Sequence, residues 1–279
     1  RYFNSFPPRR CADLGQWSLL PRASSGQADI FRVHPDGSGE EQLTDDPAFD
    51  DQGALSPDGR TLAFVSTRAG GTSNIWLMDV TTRKARNLTA SSSGNFRPAW
   101  SPDGRWIAFT SDRDTKPPAF PGSWEQMQST GIYVVGRDGS GLRRLTRKDG
   151  VAGSPAWSSD GKRVLFYETD EVGAYMAKGG NARTEIASID IATGEHTPIT
   201  ASNYTKLSPA FISCGRFSFF KRTSYSTVGL MFYTRRKRTT ATVVRGAVLN
   251  PHCSPALAPV LFPPFPRLAP LPDPPPPAL

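Results

Sequence analysis

The chain has 279 residues, 37% hydrophobic and 10% aromatic, with a formal net charge of +8 at pH 7. That apolar content fills a sizeable core and excludes a wholly disordered chain, and the sequence holds no apolar run of the roughly 18 residues that an ordinary transmembrane helix needs. The charge does not mark the body as a nucleic-acid binder, because the excess Lys and Arg lie in residues 214–279, where Asp273 is the sole acid.

Residues 1–28 carry only a faint pattern: Trp17-Ser18-Leu19-Leu20-Pro21-Arg22 loosely echoes Ala63-Phe64-Val65-Ser66-Thr67-Arg68. From residue 29 the chain repeats. The segments LSPDGRTLAFVS (55–66), WSPDGRWIAFTS (100–111) and WSSDGKRVLFYE (157–168) align without gaps, with FISCGRFSFF (211–220) as a weaker copy. A second column reads DIFRVHPDGSGEEQLT (29–44), NIWLMDVTTRKARNLT (74–89), GIYVVGRDGSGLRRLT (131–146) and EIASIDIATGEHTPIT (185–200). Both columns advance by 45, 57 and 54 residues, so the repeat is real.

Each unit spells the same physics. In Ser-Pro-Asp-Gly the Pro sets the φ of a turn, Asp bonds its own backbone and Gly accepts a left-handed conformation. The residues that follow alternate outward polar with inward apolar side chains, which predicts a half-buried strand. Runs such as Ile75-Trp76-Leu77-Met78 predict a third strand, and a Leu-Thr or Ile-Thr ending closes a fourth. Four short antiparallel strands at this period describe a β-propeller blade, and helical repeats are excluded because no run has a 3.6-residue period. Trp100, Trp157 and Phe211, and likewise Phe64, Phe109 and Phe166, occupy matched positions and are expected to fill the space between blades.

Beyond residue 235 the composition changes to Arg235-Arg236-Lys237-Arg238 and then to twelve prolines in 251–279. No core forms from such residues, which read as a disordered solvated tail or out-of-frame sequence rather than as a localisation signal or polyproline ligand. The expected organisation is an irregular segment or degraded half-blade at 1–28, a propeller at 29–234 and a basic, then Pro-rich tail at 235–279.

The stretch 29–213 resembles the TolB-like propeller repeats, marked by SPDGxxIAFxS, then I-W-x-M/V-D and a terminal L-T. The resemblance is close at Ser56-Pro57-Asp58-Gly59-Arg60 and Ser101-Pro102-Asp103-Gly104-Arg105; Ser158-Ser159-Asp160-Gly161-Lys162 departs only at the proline. It implies an all-β propeller, here with four blades plus a partial fifth where the family leads one to expect six, so the sequence reads as truncated. It also implies a protein-interaction module that is often exported, to the periplasm or the outside. The same repeats occur as non-catalytic propellers of prolyl-oligopeptidase-type peptidases and in some polysaccharide lyases. An unclosed ring would leave a blade edge open to self-association.

Antiparallel strands send alternate connections to opposite faces of the disc. The long insertions 113–130 and 169–184 and the links between blades therefore share one face, the expected binding surface. Asp45-Asp46-Pro47-Ala48-Phe49-Asp50-Asp51 places four carboxylates there, for a hard cation, a basic peptide or simply solvent, the last being favoured because the EF-hand order is missing. Gln52, Arg97, Ser154 and Ser208 hold equivalent positions just before each first strand, at the channel mouth; Arg97 suits a carboxylate or phosphate ligand, or a neighbouring blade's Asp. Trp124, in the insertion Phe120-Pro121-Gly122-Ser123-Trp124-Glu125, is either an exposed anchor or tucked onto its blade. The residues singled out for partner contact are Asp50, Asp51, Arg97 and Trp124.

Catalysis is not expected. The sequence has no G-x-S-x-G nucleophile elbow, and the 66 residues after 213 cannot build an α/β-hydrolase domain. His34, His196 and His252 are too few for lyase-type metal chemistry, and Cys11, Cys214 and Cys253 fit neither a disulfide framework nor a CxxC metal site. No cofactor or metal is expected. The expected partner is a protein or peptide, with a small molecule or saccharide as further possibilities and nucleic acid disfavoured. The rival reading is an accessory, substrate-gating propeller of a prolyl-oligopeptidase-type hydrolase whose catalytic part lies elsewhere.

Overall fold

The computed structural model describes residues 17–24, 27–114, 130–148, 150–169, 184–201, 205–213, 216–222, 228–234 and 239–244. They form five antiparallel sheets. The first takes β1 (Ser18–Ser24), β2 (Gln27–Val33) and β3 (Glu41–Gln42). The second takes β4 (Asp50–Leu55), β5 (Thr61–Ser66), β6 (Asn74–Asp79) and β7 (Ala85–Asn87); the third β8 (Asn95–Trp100), β9 (Trp106–Ser111), β10 (Gly131–Gly136) and β11 (Arg143–Arg144). The fourth takes β12 (Val151–Trp157), β13 (Arg163–Thr169), β14 (Glu185–Asp190) and β15 (His196–Pro198), and the fifth β16 (Thr205–Ser213), β17 (Arg216–Arg222), β18 (Val228–Thr234) and β19 (Thr239–Val244). In every sheet the strands pair in chain order, as in a propeller blade.

Each sheet meets its successor mainly through the successor's first strand. Strands β1 and β2 pack on β4; β4, β5 and β6 on β8; β8, β9 and β10 on β12; and β12, β13 and β14 on β16. The core lies between sheets. One cluster joins Ala63, Val65 and Ile75 of the second blade to Trp100, Phe109 and Tyr133 of the third, and another joins Ile132 and Val134 to Phe166 and Ala187. The matched Phe64, Phe109 and Phe166 are fully buried, each contributing about 2–3 kcal/mol of apolar burial. Trp100 and Trp157 do fill the inter-blade space. Their indole N–H groups donate across it to the carbonyls of Ala54 at 3.0 Å and Ala99 at 2.9 Å. The side chain of Phe211 lies outside the described residues.

The repeated residues are those that close each blade. In the Ser56 turn, Ser56 Oγ donates to Asp58 at 2.5 Å and accepts from the Thr61 N–H at 2.9 Å, while Gly59 sits at φ +72°. Ser101 and Ser158 repeat the pattern with Asp103 and Asp160. The terminal Thr has an equally local reason: Thr44, Thr89, Thr146 and Thr200 each accept, through Oγ1, the N–H of an Ile in the strand before the blade's last, Ile30, Ile75, Ile132 and Ile186, at 2.9–3.0 Å. A β-branched hydroxyl therefore finishes each of the first four blades by satisfying a backbone donor that the short last strand leaves over.

The turn carboxylates are held below the usual carboxylate range, Asp58 and Asp160 chiefly by the serine hydroxyl that donates to each. A depressed folded-state pKa adds stability above the ordinary carboxylate range and loses it as pH falls through the folded value. The Asp58→Asn/Asp160→Asn chain is therefore expected to show a shallower loss of stability between about pH 5 and 2 than the parent in urea titrations at stepped pH.

Two details differ from the sequence reading. Arg22 pairs with Asp29 as Ser66 pairs with Asn74, so β1 matches β5 two residues away from the apparent echo. The period of two keeps the same side of β1 facing inward, which is why the echo looked sound. The expected boundary at 234 falls inside the fifth sheet, where β19 pairs with β18 in a stretch rich in Thr and Val that favours strand. Residues 245–279, the bulk of the expected tail, lie outside the described residues.

Candidate functional site

The face that carries the inter-blade links is organised by two arginines. Arg68, just after β5, donates Nε to Ser66 Oγ at 2.9 Å and a terminal nitrogen to Asp50 Oδ2 at 2.6 Å, with its guanidinium 5.1 Å from the rings of both Phe64 and Trp76. One blade on, Arg113 donates Nε to Ser111 Oγ at 3.1 Å and a terminal nitrogen to Asn95 Oδ1 at 2.8 Å, with Phe109 and Tyr133 at 5.4 and 5.1 Å. The same frame thus recurs with Asp in one blade and Asn in the next. It ties the link that enters each blade to the connection after its second strand, confirming that both lie on one face.

The electrostatics follow from burial. Asp50 is fully buried, and despite its short ion pair the loss of solvent raises its pKa, with Ser66 and Arg68 only partly offsetting it. Burial likewise lowers the pKa of Arg113. Tyr133 is pushed up to about 12, first by burial and then because its hydroxyl donates to Asp114 at 2.5 Å, which in turn holds Asp114 low. Beside Arg68 a recess of about 260 Å³ opens between the first two blades, lined by Thr44, Asp45, Asp46, Met78 and Arg83 among others. Among the described residues no group of three or more His, Cys, Asp or Glu is placed to hold a metal ion.

The sequence placed Gln52, Arg97, Ser154 and Ser208 just ahead of the first strands, whereas all four lie inside them. Each has a left-handed backbone, at φ 51°, 51°, 53° and 48°, and each sits where the pairing register slips. The reason is a β-bulge: one extra residue turns the innermost strand and releases a ladder bond, so Pro98, Pro155 and Pro209 follow without losing a partner. The bulge also stitches neighbours together. The Arg97 N–H donates to the side-chain oxygen of Gln52 at 2.7 Å, and the Ser154 N–H to Thr110 Oγ1 at 3.3 Å.

Of the four residues singled out for partner contact, Asp51 and Arg97 are half-buried, and the Arg97 N–H donates to the side chain of Gln52, the residue after Asp51. Asp50 stands beneath that surface as the anchor of Arg68, and Trp124 lies outside the described residues. The arginine frame itself escaped the sequence reading. Its signal was the pair Ser66-Thr67-Arg68 and Ser111-Asp112-Arg113, at the repeat spacing and directly after matched strands.

A family model described as the TolB beta propeller domain matches residues 54–124, which take in the Ser56 and Ser101 turns, the bulge at Arg97 and both frame arginines, Arg68 and Arg113. Over these residues the chain is similar to TolB-type propeller repeats. A curated relative, the Protein TolB homolog of Chlorobium chlorochromatii, is 34% identical over 142 residues, 51% of this chain and 29% of that protein. The chain thus spans less than a third of that relative. The propeller fold also superimposes on a putative TolB from Agrobacterium tumefaciens, with a TM-score of 0.65 at 21% identity, covering 83% of this chain and 77% of that one. A puromycin-hydrolyzing peptidase of Mycobacterium tuberculosis shares the fold at a TM-score of 0.57 and 15% identity, over 80% of this chain and 36% of the peptidase.

Proposed function

We propose that this TolB-type propeller is a non-catalytic scaffold that binds a protein or peptide partner on the face bearing its inter-blade links. The observation that carries the reading is the frame of buried Asp50 and Asn95 held by the half-buried Arg68 and Arg113. Charges buried under a surface hold the loops above them in one arrangement, and a preorganised surface loses less entropy on binding. Asp51 and Arg97, at the axial end of that face, offer charges of both signs to an extended or looped peptide, and Trp124 supplies the aromatic anchor.

The test captures partners with the intact chain and with the Asp51→Lys/Arg97→Glu/Trp124→Ala variant, keeping Asp50 in place because it supports the fold. A protein identified by mass spectrometry should be lost from the variant and should bind the purified intact chain with at least about tenfold higher affinity. Equal binding to both would remove the assignment of this face. The likeness to the mycobacterial peptidase favours a second reading, a propeller that gates substrate to a serine hydrolase. Labelling the product of the complete reading frame with a serine-directed fluorophosphonate distinguishes the two.

A further inference from the structure

The recess of about 260 Å³ between the first two blades combines apolar surface, from Leu43 and Met78, with the polar and anionic groups of Gln42, Asp45 and Asp46. Its two cations are already engaged. Arg68 pairs with Asp50 and lies 3.8 Å from Asp46, while Arg83 pairs with Glu41 and donates to the Leu43 carbonyl at 2.9 Å. Asp45 is exposed and makes no ion pair or hydrogen bond among the described residues.

The next junction between blades shows the neutral alternative. There Asn74 fastens the link: its Oδ1 accepts from Thr89 Oγ1 and from the Ser91 N–H, both at 2.9 Å, and its Nδ2 donates to the Ser91 carbonyl at 3.0 Å. Asp29 is the counterpart of Asn74 in the first blade, and Thr44 Oγ1 bonds it in the same way, at 3.3 Å. A carboxylate has no N–H to give, so Asp29 cannot hold the Asp46 carbonyl as Asn74 holds that of Ser91. Asp45 and Asp46 also stand where the second junction has Ala90 and Ser91. Burial, and then the nearby charges of Asp45 and Asp46, raise the pKa of Asp29 against the opposing Thr44 and Arg68. The second junction closes without this repulsion, so the acids of the first are a cost to the fold that an incoming cation removes.

We propose that this recess takes the side chain of a Lys or Arg of the partner peptide, its methylene stem along Leu43 and Met78 and its charged head against Asp45 and Asp46. Asp29, behind Thr44, adds to the attracting field. Lys and Arg are the side chains that join a long apolar stem to a cation, which is the pairing that this lining asks for. The size agrees, since the volume falls below the roughly 300–1,000 Å³ of sites for drug-sized ligands and suits a single side chain. A metal ion is the poorer occupant, because the described carboxylates are not grouped to hold one. The assignment refines the peptide-binding reading above, on which it rests, by making one residue of that peptide basic.

The test titrates the isotope-labelled full-length chain with acetyl-Gly-Lys-Gly-amide, and with the same peptide carrying norleucine or Glu in place of Lys, followed by amide NMR. The Lys peptide should give saturable shifts confined to the amides of Leu43, Thr44, Asp45, Asp46, Met78 and Arg83, and the other two peptides should not. Asp45→Asn removes an exposed carboxylate and should weaken Lys-peptide binding about threefold, and Asp29→Asn/Asp45→Asn about tenfold. Because Asp29→Asn copies Asn74, the urea midpoint of the double variant should not fall, which separates lost binding from lost folding. Equal shifts with the norleucine peptide, shifts spread over acidic surface elsewhere, or undiminished binding to the double variant overturns the proposal. Failure of the wider reading looks different. If the Lys peptide fills the recess while the intact chain captures no protein, the recess stands and the peptide-partner reading falls. If a protein is captured but the Lys peptide leaves the recess unshifted, the recess assignment alone is overturned.

Discussion

Replacing Arg68 by Met is expected to destabilise the propeller by about 3–5 kcal/mol, because it leaves the carboxylate of Asp50 buried without its cation. For a domain of this size that lowers the unfolding midpoint by about 10 °C, read by circular dichroism on heating. Asp50→Asn should cost far less, since the third blade already holds the same geometry with Asn95 against Arg113. Adding Asp50→Asn to the Arg68→Met chain should therefore restore part of the loss. The pH dependence has a definite sign. Burial raises the folded-state pKa of Asp50, so the folded chain holds that proton more tightly than the unfolded chain. The contribution is then fullest at low pH and declines as pH rises from the ordinary carboxylate range to the folded value. Without Arg68 the folded value rises further and the decline reaches to higher pH, while Asp50→Asn abolishes it. Equal losses in Arg68→Met and Asp50→Asn would show that the ion pair does not organise this face.

Phe109→Ala should be as damaging, at about 3–5 kcal/mol, for a reason that joins the core to the site. The ring is fully buried between the second and third blades and lies 5.9 Å from that of Tyr133. Its face also supports the Arg113 guanidinium at 5.4 Å. Truncation removes the packing and one of the two rings that seat the arginine. Phe109→Leu keeps most of the volume and should cost about half as much while still loosening Arg113. The comparison is made by denaturant unfolding together with partner binding. If binding falls in Phe109→Leu out of proportion to stability, the core sets the arrangement of the loop face. If binding follows stability alone, the frame is structural only.

The blade was legible because its determinants are local. Ser56, Asp58 and Gly59 bond within their own turn, Thr44 and Thr89 cap strands of their own blade, and the alternation that buries Phe64 needs no knowledge of neighbours. The candidate site was legible only in part. Asp51 and Arg97 stood out as charged residues on links, whereas both lie inside first strands, half-buried. Asp50 looked the same in sequence, yet its side chain turns the other way because successive residues of a strand face opposite sides, and the inward side of β4 meets Arg68.

What the sequence determined by itself is the identity of the unit: its four strands, its turns, its Thr closure and the aromatic positions that face a neighbour. These rest on periodicity and on bonds between residues close in the chain. Only the tertiary structure decided what happens between units, namely that Gln52, Arg97, Ser154 and Ser208 occupy bulges, that Asp50 is an anchor, and that the first sheet has three described strands. Those outcomes depend on contacts between residues some 45 positions apart, whose free energy exists only once one blade stands against the next.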